Sequence, residues 1–200
     1  WGQVVVVSGE AGIGKSRLVD TFRESLSETP HSWLDASCSP YAASAALWPL
    51  AELQRRGLGF KADDEPIVRL EAIDRALTTV GIDGSRGAAL LADLHGYDIA
   101  HPEVQTMSPD HRRVERFNLL ADWVIELARL QPTVFMLDDM HWADPTTVAL
   151  VDRLIDAVST EPLLLLLTTR PDDAPEFSPR GHLTSIQLSR MTRDQIAELA

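Results

Sequence analysis

Three observations predict an α/β fold, a five-stranded parallel sheet with helices on both faces. Apolar, strand-length runs recur along the 200 residues. Helix-period stripes separate them, and a glycine loop joins the first run to the first stripe. Val4, Val5, Val6 and Val7 are β-branched, the composition of a strand buried on both faces, and predict a strand over residues 3–8. The loop from Gly9 to Ser16 reads Gly-Glu-Ala-Gly-Ile-Gly-Lys-Ser and matches G-x-x-x-x-G-K-[ST]. Behind it Leu18, Val19, Phe22 and Leu26 share one face of a helix over 15–27. Strand, glycine loop and helix together aim backbone N–H groups and a helix N-terminus at a phosphate.

A second strand is predicted over 31–36, followed by the loop from Ser37 to Tyr41. Residues 46–107 show no long strand pattern and read as a helical insert between strands two and three. Its pieces are a helix from about 46 to 57 with Pro49 in its first turn, and another opening at Asp64-Glu65-Pro66. That second helix carries Ile67, Leu70, Ile73 and Leu77 on one face, and a short piece covers 88–94. Ser108-Pro109-Asp110 is a helix start: a capping hydroxyl, proline at the first position and an acid in the first turn. The helix runs to about Leu130 with a stripe of Val114, Phe117, Ala121, Val124 and Ala128. Val134 to Leu137 then form a strand that delivers Asp138 and Asp139. Asp144-Pro145 caps the next helix, whose stripe is Val148, Val151, Leu154, Ile155 and Val158. Leu163 to Leu167 with Thr168 and Thr169 is too short to span a bilayer and reads as a central strand. A Pro- and Asp-rich loop over 170–182 leads to a fifth strand at 183–188.

The net charge is −12, with hydrophobic residues at 44%. This balance argues against a nucleic-acid-binding surface and against docking to an anionic membrane through this segment. Cys38 is the one cysteine, so no internal disulfide is possible, in keeping with a cytoplasmic setting. The chain opens on Trp1, one step before the first strand, and closes at Ala200 inside a helix predicted after Thr192. Residues 1–200 therefore read as one nucleotide-binding domain excerpted from a longer protein.

The chemistry is carried at the carboxyl ends of strands. In a loop of this pattern the backbone from Gly9 to Arg17, with Glu10, Ala11, Gly12, Ile13 and Gly14 inside it, surrounds the phosphates. Lys15 reaches the β- and γ-phosphates and the Ser16 hydroxyl ligates Mg²⁺. Magnesium wants a carboxylate nearby, and Asp138 at the end of an apolar strand supplies one. Asp139 is placed to orient or deprotonate the attacking water, and Arg170, after the Leu163 run, to reach the γ-phosphate. Arg112, Arg113 and Arg116 read as a solvated helix face, and Trp142 as packing behind the acid pair. Cys38, His141 and His182 lack zinc-ligand spacing.

The segments GEAGIGKSRLV (Gly9 to Val19), LDDMHWADPTT (Leu137 to Thr147) and LLLLLTTRPD (Leu163 to Asp172) resemble the AAA-type ATPase module of STAND signalling NTPases. Specifically, they resemble the version in large bacterial regulators coupled to class III adenylate/guanylate cyclase or LuxR-type DNA-binding domains, and Cys38 to Leu50 is similar to the cyclase-associated group. The resemblance implies an ASCE/AAA-like P-loop NTPase core with the Leu163 strand between the Asp138 and Gly9 strands. It implies ATP and Mg²⁺ as ligands, Lys15 and Ser16 as phosphate and magnesium residues, and Asp138 as the magnesium acid. Asp139 matches the catalytic acid and Arg170 a sensor-like position. Asp139 stands where AAA+ ATPases usually carry glutamate, which predicts slow hydrolysis. The implied role is a nucleotide-gated switch whose partners are other domains of the same chain or an oligomer. Two alternatives stay open at this point: a module that holds ATP or ADP without hydrolysing it, and a small-molecule kinase.

Overall fold

The computed structural model describes residues 2–61, 63–97 and 101–190. Five strands form one parallel sheet: β1 (Gln3–Ser8), β2 (Ser32–Ser37), β3 (Thr133–Asp138), β4 (Leu163–Thr169) and β5 (Leu183–Gln187), in the order β2-β3-β4-β1-β5. β4 thus separates β3 from β1, as the resemblance implies. Among the described residues the α-helices are α1 (Lys15–Ser25), α2 (Trp48–Gly57), α3 (Pro66–Thr79), α4 (Gly84–Leu91), α5 (Pro102–Thr106), α6 (Pro109–Leu130) and α7 (Pro145–Val158). The helix predicted after Thr192 lies outside the described residues.

The two-residue period of the strands divides their side chains between two cores. Phe135 and Leu137 of β3 join Leu163, Leu165 and Leu167 of β4 in the larger core, under α2, α3, α4, α6 and α7. Val134, Met136, Leu166 and Val7 point the other way, toward Val19 of α1. The central strands β3 and β4 are buried almost throughout, which is why they read as unbroken apolar runs, whereas edge strand β5 is mostly exposed.

The stripe predicted for α1 loses one residue, while Val19, Phe22 and Leu26 face the core as expected. Val19 is buried while Leu18 is 41% exposed, because among the described helices α1 alone covers its face of the sheet. Ile67, in the first turn of α3, is also exposed, while Ile73 and Leu77 are buried as expected. In α6, Val114 is exposed at 53%, and Leu119, Leu120 and Trp123 are buried besides Ala121, Val124 and Ala128. This helix is packed against the sheet on one side and the insert on another, so its buried arc is wider than one stripe. Its first turns meet the insert through charge instead: Arg86 pairs with Glu115, and Arg116 reaches the Leu90 carbonyl at 2.8 Å and the Asp93 carboxylate.

The insert is helical, as predicted, from α2 to α5. α4 begins at Gly84, four residues before the predicted start, and lies so close to α3 that a Cβ at Gly84 would sit 2.4 Å from the Asp74 carbonyl oxygen. No helix among the described residues is long and apolar enough to cross a membrane.

Candidate nucleotide site

The register of the parallel sheet sets three strand ends level. Ser8 of β1 pairs with Thr169 of β4, and Leu137 of β3 with Leu167 of β4, so Asp138 and Asp139 stand beside Thr168 and Thr169. The loop after β1 starts from this line, its Gly9 N–H still bonded to the Thr169 carbonyl at 3.2 Å. Gly12 (φ +76°) and Gly14 (φ +108°) adopt backbone that side-chain-bearing residues avoid, and Gly14 forms the N-cap of α1 without a side-chain cap. The first-turn N–H groups of α1 are therefore left facing the loop.

Lys15 spans this loop. Its ammonium donates to the Gly9 carbonyl at 2.7 Å and to the Glu10 carbonyl at 3.2 Å, which leaves one of its three N–H bonds for a ligand. A cavity of about 380 Å³ is lined by Ala11, Gly12, Gly14, Lys15, Ser16, Arg17, Asp138, Asp139 and Arg170. Gly9, Glu10 and Ile13 belong to the loop but not to the cavity wall; they shape it through the carbonyls that hold Lys15 and a 3.3 Å Ile13–Glu10 turn bond. Three cationic side chains and two carboxylates face the cavity, an excess of positive charge inside a chain that is acidic overall. Arg170 has no carboxylate within ion-pair distance among the described residues. Arg113 and Arg116 pair with Asp110 and Asp93, away from the cavity.

The acid pair is held by a residue that sequence reasoning missed. Thr168, fully buried in β4, donates its hydroxyl to Asp138 Oδ1 and accepts the Asp139 N–H at 2.9 Å. One side chain thus orients the first acid and fixes the backbone of the second. Asp139 has φ +57°, an uncommon left-handed conformation that the Thr168 bond helps to hold. The only available signal was the pair Thr168 and Thr169 closing an otherwise apolar run. Ser16 and Asp138 offer two oxygen donors in one cavity, which fits Mg²⁺, an ion that keeps several waters and takes one or two protein ligands.

Behind the acids, Asp144 carries more than a helix cap. It is 5% exposed, and its Oδ1 accepts the N–H groups of Thr146 (2.9 Å) and Thr147 (3.1 Å) at the start of α7. Its Oδ2 accepts the Thr147 hydroxyl and, at 3.1 Å, the N–H of Leu47, ninety-seven residues away. Leu47 (φ +59°) ends the loop that leaves β2. That loop is tied again where the Cys38 N–H meets the Asp138 carbonyl at 2.9 Å. Burial, with the Asp144, Asp139 and Asp138 carboxylates beside it, pushes the Cys38 thiol up to about 12, so it is a packed thiol and no nucleophile at neutral pH. Trp142 is 36% exposed and tilts over the His141 ring at a centroid distance of 5.1 Å; it covers the histidine more than the acids.

A parallel sheet in this order, with a phosphate loop after its first strand, is a P-loop NTPase fold, and the AAA ATPase domain matches residues 2–166. The chain belongs to the AAA ATPase domain family. An uncharacterized protein of Rhizobium meliloti (strain 1021) is 27% identical over 198 residues, covering 97% of this AAA domain chain and 19% of the relative. The chain therefore spans about a fifth of that protein. Among solved structures, a signal transduction ATPase with numerous domains (STAND) carrying a tetratricopeptide repeat sensor, from Pyrococcus horikoshii, aligns with 98% of this chain and 22% of its own. Its TM-score is 0.43 and its identity 18%. The cbiO1 protein of Clostridium perfringens, part of an ABC transporter complex, aligns with 84% of this chain and 67% of its own, at a TM-score of 0.35 and 15% identity.

Proposed function

We propose that this AAA domain binds and slowly hydrolyses ATP, as a nucleotide-dependent switch within a multidomain signalling or transcriptional regulator. The observation that carries the reading is the convergence of Lys15, Ser16, Asp138, Asp139 and Arg170, from three strand ends, on one cavity. In this reading the loop amides and Lys15 hold the phosphates, and Ser16 and Asp138 hold Mg²⁺. Bound by these residues, the ion would neutralise charge on the phosphates. Asp139 orients the water whose oxygen bonds to the γ-phosphorus as the bridging oxygen leaves with ADP. Arg170 offsets charge on the transferring group. Because such transfer depends mainly on positioning, the shorter reach of Asp139 relative to glutamate favours slow turnover.

The switch rests on the likeness of the three motif blocks to regulators joined to cyclase or LuxR-type DNA-binding domains. It is also in keeping with a curated relative of which this chain is a minor part. The test is phosphate release from ATP by the purified protein. Release above background is expected, falling at least about 100-fold in Asp139→Asn while ATP affinity stays within about twofold. Equal release from Asp139→Asn would remove Asp139 from the mechanism, and no release from either protein would leave a pure binding module.

A further inference from the structure

Asp139 lacks a group to aim it. Its backbone is held by Thr168, yet among the described residues no hydrogen-bond donor reaches its carboxylate, which is 45% exposed. The nearest basic group is the imidazole of His141, with Nδ1 at 3.9 Å from Asp139 Oδ1. The His141 side chain is only 2% exposed, and neither ring nitrogen has a hydrogen-bond partner among the described residues. A phenylalanine or leucine would fill that space without two unpaired polar atoms, so packing alone does not account for an imidazole there.

We propose that His141 is a positioning residue for ATP hydrolysis, its ring N–H holding the Asp139 carboxylate toward the attacking water. The inference rests on the reading of Asp139 given above. A shift of about 1 Å in the Asp139 side chain brings Nδ1 and Oδ1 within hydrogen-bond range, and such contacts commonly tighten once substrate is bound. Burial, ahead of the opposing influence of Asp139, holds the imidazole below its ordinary range, so the ring is neutral at pH 7 with one N–H to give. The Nδ1–H form meets Asp139, and Trp142 shields the ring from one side. His141 is not on the cavity wall, so its effect reaches the reaction through Asp139 and not through the nucleotide.

The test combines His141→Phe and His141→Asn with Asp139→Asn, reading single-turnover hydrolysis and ATP affinity. His141→Phe is expected to slow hydrolysis about 10- to 100-fold with affinity changed less than about twofold. His141→Asn, which restores a donor, recovers part of the rate. In the Asp139→Asn background His141→Phe adds nothing further. In parallel, nitrogen-resolved NMR of the histidine rings in the complex with Mg²⁺, ADP and aluminium fluoride is expected to show His141 as the Nδ1–H tautomer. That signature disappears in Asp139→Ala. Full-rate hydrolysis by His141→Phe alongside an inactive Asp139→Asn overturns the positioning role alone. Equal losses of rate and affinity in both backgrounds, or a His141 signal indifferent to Asp139→Ala, assign the ring to packing and also overturn it. A fully active Asp139→Asn, or a protein that hydrolyses no ATP, defeats the underlying reading and this inference with it.

Discussion

Lys15→Ala is expected to weaken Mg²⁺-ATP binding at least about 100-fold, measured with a fluorescent ATP analogue. Charge-assisted hydrogen bonds to a phosphate contribute about 1.5–3 kcal/mol each, and about 1.4 kcal/mol is tenfold in affinity. One such bond, made by the N–H that Lys15 has left for a ligand, accounts at the upper end of that range for about 100-fold. The substitution acts a second way, because the ammonium also ties the Gly9 and Glu10 carbonyls across the loop at 2.7 and 3.2 Å. Without it the loop amides are less well organised for a phosphate. Lys15 is only partly buried and outside both apolar cores, so the melting temperature without nucleotide should move little. Affinity equal to that of the unaltered protein would disprove the assignment of Lys15.

The largest effect on stability is expected at Asp144. Asp144→Ala removes an N-cap, costing about 1–2 kcal/mol, and strands the N–H of Leu47, itself 3% exposed, for about 1–3 kcal/mol more. The sum, roughly 3 kcal/mol, corresponds to a fall in melting temperature of about 6–12 °C for a domain of this size. Asp144→Asn keeps one acceptor oxygen and should fall less. A drop of under about 2 °C in calorimetry would show that the loop after β2 does not depend on this carboxylate.

That contact also explains what one chain could and could not reveal. The core strands were legible because β3 and β4 are buried on both faces, so burial appears as unbroken apolar sequence. The cap at Asp144 was legible because its Thr146 and Thr147 partners are adjacent. Its fourth bond, to Leu47, carries no local signal, although it joins two blocks, Cys38 to Leu50 and Leu137 to Thr147, that each resemble the same family. Thr168 was hidden for the same reason: its role depends on β3 lying beside β4, which only the sheet order reveals. Leu18, Ile67 and Val114 were misplaced because periodicity reports that a helix has an apolar face without saying how much of that face is covered.

The central claim, that the cavity at the ends of β1, β3 and β4 takes a magnesium-bound nucleotide triphosphate, is tested most directly by calorimetric titration with ATP, in Mg²⁺ and again in EDTA. A single saturable site in Mg²⁺, weakened about tenfold or more by EDTA, is the result expected if Ser16 and Asp138 hold the ion. Absence of binding heat at any ATP concentration up to about 1 mM, or affinity indifferent to Mg²⁺, would contradict it.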